Sequence, residues 1–166
     1  NVLIELKNLK TFGLEGNISL ISSVLDKGNL PLSLDQLSIL IRGEAKSHKD
    51  AVKGLANTIE KNKNLKSLYL SFMHYEGSVN DILFKAVAKL NTLIALKLNF
   101  EVMREMENNA LKELKGAISK NPDLKAFSVD LNQIPISSRE LTGLTDALAN
   151  LKDLRKFCFE GVFKKV

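Results

Sequence analysis

Apolar side chains recur along the chain in a fixed order, apolar-x-x-apolar-x-apolar. The successive copies are separated by 25, 31, 28, 31 and 30 residues, with a mean of 29. The last two apolar positions of each copy have one residue between them, and this period of two predicts a short β-strand. The six copies begin at Leu9, Leu34, Leu65, Leu93, Leu124 and Leu154.

A second pattern precedes the last four copies and predicts a helix before each of them. Leu55, Thr58 and Ile59 stand ten, seven and six residues before Leu65. Apolar or small residues at spacings of three and four lie on one face of an amphipathic helix. Ser137-x-x-Glu140 predicts a capping box at the start of the last helix. The equivalent residues of the later units are Leu83, Ala86, Val87, Leu114, Ala117, Ile118, Leu144, Ala147 and Leu148.

Each unit is therefore predicted to contain one strand and one helix. Strands separated by a helical crossover lie parallel, and a stack of such units buries apolar faces that a single unit leaves open. From Leu9 to Phe159 the chain resembles the leucine-rich-repeat family. Its repeat length and helical second half are most similar to the ribonuclease-inhibitor-like type. The alternative is a compact α/β domain with leucine-rich helices.

The chain departs from the family in the turn that follows each strand. The family usually has asparagine eight residues after the first leucine, where the side chain ties adjacent turns together. Here only Asn17 and Asn132 occupy that position. We therefore expect most of these turns to be built differently. The other four positions hold Arg42, Met73, Glu101 and Val162.

The resemblance predicts an α/β fold, a curved horseshoe-shaped solenoid of about six strand-helix units in a single domain covering residues 1–166. The parallel sheet lies on the concave side and the helices on the convex side. Val2, Leu3, Ile4 and Leu6 resemble the tail of an earlier helix, and the chain closes on a strand over 157–163. We therefore expect a fragment of a longer array, or another chain that covers the last strand.

The family resemblance also implies that a partner binds on the concave side. Counted from the first leucine of a unit, positions 1, 4 and 6 point inward, and positions 3, 5 and 7 point outward. Inward positions hold Phe12, Phe127, Phe157 and Phe159, which we expect in the core. The second positions are mainly basic and the seventh lean acidic, so we expect a positive edge beside a negative one. The candidate partner-binding residues are Lys66, Tyr69, Ile94, Lys97, Lys125, Ser128 and Arg155.

Composition and motifs argue against several other functions. The 166 residues are 45% hydrophobic and 26% charged, which is typical of a folded globular chain. His48, His74 and Cys158 have no zinc-site spacing, and Glu101, Glu105 and Glu107 are expected in a solvated loop with Arg104. We expect no enzymatic activity, cofactor or metal. Cys158 is expected to be a half-buried structural thiol.

The partner and compartment follow from weaker signals. No apolar run is long enough to span a membrane. One cysteine favours a reducing, intracellular and most simply cytoplasmic location. The net charge is only +5, and basic and acidic residues are interspersed along the chain. This distribution argues against a nucleic acid as the partner.

The main prediction is a non-enzymatic module that binds a protein partner. The alternative is a structural or scaffold subunit of a larger assembly, which contacts its neighbours through the edge strand or the helices. A nucleic-acid binder and a regulator of a small GTPase are further hypotheses, and no specific residue supports the latter.

Overall fold

Six strands alternate with five helices in the parts of the chain that the structure describes. The structure is a computed structural model that describes residues 6–25, 30–31, 33–42, 49–73, 80–100 and 110–163. The strands are β1 (Thr11–Gly16), β2 (Gln36–Arg42), β3 (Ser67–Met73), β4 (Ala95–Asn99), β5 (Ala126–Ile136) and β6 (Lys156–Phe163). The helices are α1 (Ile18–Leu25), α2 (Lys49–Lys61), α3 (Asn80–Val87), α4 (Ala110–Ser119) and α5 (Ser138–Ala149).

The strands form one parallel sheet in sequential order, from β1 to β6. The register pairs each residue with the residue at the same position of the next unit. The columns predicted from the sequence are therefore rows of neighbouring side chains in the sheet. The row at position 4 runs through Phe12, Leu37, Leu68, Leu96, Phe127 and Phe157.

The core lies between the sheet and the helices. Leu68 and Leu96 are buried on the inner face of the sheet, and Leu83 and Leu114 are buried on α3 and α4. Neighbouring helices pack against one another in chain order, as do neighbouring strands. The sheet on one side, the helices on the other and contacts between successive units make this an α/β solenoid of strand-helix units, which is the fold that the leucine-rich-repeat resemblance predicted.

Aromatic rings fill the core beyond the carboxyl ends of the inner strands. Phe72, at the end of β3, stacks on Phe100 with ring centres 5.5 Å apart. Phe84 of α3 meets Phe100 edge-on at the same distance. All three rings are fully buried, and burial of such a side chain stabilises a fold by about 1.5–3 kcal/mol.

Short polar side chains tie successive units together where each helix leads into the next strand. The Thr92 hydroxyl lies 2.9 Å from the carbonyl oxygen of Lys63 and 2.7 Å from that of Leu65, both in the preceding unit. Ser33 makes the equivalent contacts two units earlier, at 2.9 and 3.1 Å. In the unit after Thr92, the buried side chain of Asn121 makes the hydrogen bonds to the preceding unit.

The one helix cap predicted from the sequence is present, and Asn17 caps a helix instead of tying adjacent turns as the family resemblance implies. Ser137 forms the predicted capping box with Glu140 at the start of α5. The Asn17 side-chain oxygen accepts a 2.9 Å hydrogen bond from the amide of Leu20, so this residue caps α1. Asn132 does join adjacent strands, because its amide donates to Glu160 of β6 over 3.2 Å.

Three burial predictions were wrong. Phe157 occupies an inward position but is 53% exposed, because β6 is an edge of the described sheet and no further unit packs on it there. Ser71 occupies an outward position but is only 1% exposed. It lies in register between Leu40 and Asn99, whose longer side chains flank it. Cys158 is exposed rather than half-buried.

Some predicted features lie outside the described residues. They are Val2–Ile4, His48, His74 and the charged group Glu101, Arg104, Glu105 and Glu107. Leu6, which the sequence groups with an earlier helix, is exposed and lies next to a turn.

Candidate protein-binding face

The exposed side of the sheet is concave across its last four strands. A hollow of about 800 Å³ opens on it, and its lining residues come from β3, β4, β5 and β6. We call this side of β3–β6, with the residues at positions 2, 3 and 5, the concave face. Its floor consists of Ser67, Ala95 and Ala126, whose small side chains leave the hollow open.

A row of second-position residues forms one border of the concave face. The carbonyl oxygen of Lys66 accepts hydrogen bonds from the amides of Ile94 (2.7 Å) and Ala95 (2.9 Å) in the next unit. The carbonyl oxygen of Ile94 accepts the equivalent hydrogen bonds from the unit of Lys125, and the carbonyl oxygen of Lys125 accepts them from the unit of Arg155. This repeated contact fixes the spacing of the row. Lys66, Ile94, Lys125 and Arg155 are all exposed.

A second row, at position 5, crosses the centre of the face. Tyr69, Lys97, Ser128 and Cys158 are successive partners in the strand register. The Lys97 ammonium lies over the Tyr69 ring, 4.9 Å from its centre, which is the geometry of a cation–π contact. The contact orients both side chains in the hollow. The structure therefore brings all seven predicted residues onto one surface, in two rows on either side of the small residues of the floor.

The concave face is positively charged. Lys97, Arg155 and Lys156 line the hollow, and none of its lining residues in the described chain is acidic. Lys66 and Lys125 add two charges along the border. Within the described ranges, none of these five cations forms an ion pair.

Acidic residues lie at the opposite end of the strands, as the sequence indicated. Position 7 is five residues beyond position 2, which is about 16 Å along a strand. Glu15 forms a 2.8 Å ion pair with Arg42. Asp130 accepts a 3.0 Å hydrogen bond from the Asn132 amide, and Glu160 accepts one from the Asn132 side chain. These carboxylates therefore have local partners, whereas no carboxylate in the described ranges pairs with the five cations of the concave face.

Sequence reasoning missed Lys156 and predicted that Cys158 is a half-buried structural thiol. Both line the hollow beside Arg155, at the end of the sheet. Lys156 is exposed because its neighbour in the row is the small Ala126 and β6 has no other strand paired with it in the described sheet. The thiol of Cys158 lies 3.6 Å from a carboxylate oxygen of Glu160. Lys156 occupies position 3 of the last unit. Its place in that unit was the signal that could have identified it from the sequence.

Two kinds of feature are absent from the described residues. These ranges contain no group of three histidine, cysteine, aspartate or glutamate side chains placed to hold a metal ion. None of the helices over the same residues is both long and apolar enough to cross a membrane.

Comparison with known proteins gives likeness only at the level of solved structures. No family model matches the chain, and no curated protein matches it. An internalin from Listeria monocytogenes is 13% identical with a TM-score of 0.49, over 98% of this chain and 45% of that one. TLR13, in its complex with ssRNA13, is 15% identical with a TM-score of 0.29, over 97% of this chain and 34% of that one. The chain spans less than half the length of either protein, and the fold assignment rests on the strand order and register described above.

Proposed function

We propose that the protein is a non-enzymatic interaction module that binds a protein partner on its concave face. The observation that carries the proposal is the open hollow on a rigid sheet, lined by Tyr69, Lys97 and Arg155. Tyrosine and arginine are among the residue types that most often anchor protein interfaces. Backbone hydrogen bonds between units hold these side chains in fixed rows, so little ordering is needed on binding.

The dimensions of the face suit a protein segment. From Lys66 to Arg155 the border crosses three strand spacings, which is about 14 Å for parallel strands. The hollow is open rather than enclosed, so a bound group would stay in contact with solvent on one side. A segment of a folded partner can bridge both rows at once, contacting the border cations and the Tyr69–Lys97 pair.

An affinity pull-down from the native lysate tests the proposal. The baits are the wild type, the double variant Tyr69→Ala/Lys97→Glu and the control Lys112→Glu, which makes the same charge change on α4. Lys112 is exposed on the helical side of the solenoid. All baits must have the same thermal stability. A partner kept by the wild type and the control but lost by the double variant supports the proposal. Retention by all three baits contradicts it.

A structural subunit is the second candidate, and one observation favours it. The Phe157 ring is 53% exposed and stacks on Phe127 with ring centres 6.3 Å apart, so β6 presents an aromatic surface at the sheet edge. A neighbouring subunit could cover this ring and pair with the strand. In that case partner contacts survive Tyr69→Ala/Lys97→Glu and fail with Phe157→Ser or Phe159→Ser.

We also propose the ribonuclease-inhibitor-like type of leucine-rich repeat and an intracellular location. The mean repeat of 29 residues, with a helix between each pair of successive strands, supports the type. The single cysteine, whose thiol is exposed, supports a reducing compartment.

A further inference from the structure

The cations of the concave face are arranged as if to meet an anionic partner. The five cations lie on, or directly before, neighbouring strands of the sheet, and none has a carboxylate partner in the described part of the chain. They are Lys66, Lys97, Lys125, Arg155 and Lys156. The positive charges on neighbouring units repel one another, and an anionic ligand that binds among them relieves the repulsion. The carboxylates of position 7 lie about 16 Å along the strands from the second-position cations, and Glu15, Asp130 and Glu160 each already have a hydrogen-bond or ion-pair partner.

An apolar residue interrupts the border at a defined place. Ile94 stands between Lys66 and Lys125, joined to both by backbone hydrogen bonds, and is 36% exposed. Beside it, Ala95 and Ala126 form an apolar part of the floor of the hollow. A purely anionic ligand would place its charged groups against this apolar strip. The complementary ligand has an apolar side chain at that point, with carboxylates on both sides.

The spacing of the border matches one turn of a helix. Lys66, Ile94, Lys125 and Arg155 follow one another at the spacing of parallel strands, which is about 4.8 Å. Side chains on one face of an α-helix recur at about 5.4 Å per turn, whereas side chains on one side of an extended chain recur at about 6.7 Å. A helix that crosses the strands can therefore place one side chain opposite each of the four residues.

We infer that the concave face docks an acidic amphipathic helix of a protein partner, with an apolar side chain of the helix on Ile94 and carboxylates on Lys66, Lys125 and Arg155. This inference rests on the proposed function of the concave face and specifies its partner. The Tyr69–Lys97 pair lies beside the border row and contacts the side of the docked helix.

The same features favour a protein helix over a nucleic acid. A nucleic acid presents a phosphate at every step, and it has no group suited to the apolar gap at Ile94.

Fluorescence anisotropy with synthetic ligands tests the inference directly. The main probe is a labelled helical peptide with a leucine between glutamates on successive turns of one face. The second peptide has the same composition with the leucine on the opposite face, the third has glutamate in place of the leucine, and the fourth ligand is a single-stranded RNA of similar charge. We expect the first peptide to bind the wild type most tightly, with affinity that falls as salt rises.

Charge variants test the border residues. We expect Lys125→Glu/Arg155→Glu to weaken binding of the first peptide by at least about tenfold, because carboxylates then face carboxylates. The control Lys112→Glu/Lys120→Glu makes the same charge change on the helical side and is expected to keep the affinity within about twofold. Equal losses in both pairs would overturn the inference, because they would show an effect of net charge alone.

Variants of Ile94 separate an acidic helix from a simple polyanion. Ile94→Lys completes the basic row, so it strengthens binding of any polyanion, yet we expect it to weaken binding of the first peptide. Ile94→Ala removes apolar contact without changing charge, and we expect it to weaken binding of the first peptide and leave the all-glutamate peptide unaffected. Because Ile94 is exposed, both variants should keep the wild-type melting temperature.

Several outcomes contradict the inference. They are tighter binding of the first peptide by Ile94→Lys, equal binding of the two peptides of the same composition, and absence of peptide binding. Tighter binding of the RNA, with the steeper salt dependence, would assign the face to nucleic acid instead. If the peptides do not bind while the double variant loses a lysate partner, the proposed function stands and only the acidic helix fails.

Discussion

The side-chain oxygen of Asn121 accepts a 2.8 Å hydrogen bond from the backbone amide of Leu93, which opens the preceding unit. The amide group of the same side chain donates to the carbonyl oxygens of Leu90 (3.0 Å) and Ala117 (2.8 Å). Asn121 is fully buried, so no water replaces these partners. One side chain thus joins the loop after α3 to the end of α4, and it holds two units in register.

Asn121→Ala is expected to destabilise the protein by about 3 kcal/mol, because it leaves a buried amide and two carbonyl groups without partners. Asn150→Ala is the matched control. Asn150 is exposed, and its side-chain amide donates a 2.9 Å hydrogen bond to the Asp146 carbonyl. Urea unfolding of both variants measures the difference. Similar losses of stability in the two variants would show that the link between units is not important for stability.

Leu96→Ala is expected to destabilise the fold by about 2–5 kcal/mol, because it creates a cavity under the centre of the sheet. Phe157→Ala removes a larger side chain from the same row, but that ring is 53% exposed. We expect a cost of about 1 kcal/mol there. Equilibrium unfolding gives both values. A larger effect at Phe157 than at Leu96 would contradict the placement of the core.

Ser137→Ala is expected to lower the stability by about 1 kcal/mol, because it removes the hydroxyl that caps α5. The Ser137 hydroxyl accepts from the Glu140 amide at 3.3 Å, and the Glu140 carboxylate accepts from the Ser137 amide at 2.9 Å. Ser138→Ala, one residue later and exposed, is the control and should leave the melting temperature unchanged. A loss in the control equal to that in Ser137→Ala would remove the capping role.

Tyr69→Phe and Tyr69→Ala separate the ring from its hydroxyl in partner binding. The ring lies under the Lys97 ammonium, and Phe retains this contact surface. We expect Tyr69→Phe to bind the partner recovered from the lysate within about threefold of the wild type and Tyr69→Ala to bind at least about tenfold more weakly. Surface plasmon resonance measures both affinities. Unchanged affinity of Tyr69→Ala would exclude the ring as an anchor.

The sequence was sufficient to predict the strand rows and the helix that precedes each of the last four strands. Rows such as Leu68–Leu96–Phe127 follow from a fixed repeat, because each unit lies in register with the next. The capping box at Ser137 was also predictable, since its two residues are local.

The wrong burial predictions have a common physical origin. Burial in a solenoid depends on the neighbouring units as well as on the position within the repeat. Phe157 is exposed because no unit covers it in the described sheet, and Ser71 is covered because longer side chains flank it. A pattern that treats all copies alike cannot represent these differences.

The side-chain contacts that link successive units were also not predicted from the sequence. The family resemblance directed attention to asparagine after each strand, but the buried Asn121 lies before a strand. Asn62 occupies the equivalent place two units earlier and is also buried, where its amide donates to the Thr58 carbonyl at 2.9 Å. Both stand three residues before the first leucine of a unit, so the signal was present in the sequence.

A calorimetric titration of the purified partner tests the concave face most directly. The titrated proteins are the wild type, Tyr69→Ala/Lys97→Glu and Lys112→Glu, each with the wild-type melting temperature. We expect the double variant to bind at least about a hundredfold more weakly, because it removes an anchor and reverses a charge in the hollow, while Lys112→Glu keeps the wild-type affinity. Equal affinity of the partner for all three proteins would contradict binding on the concave face.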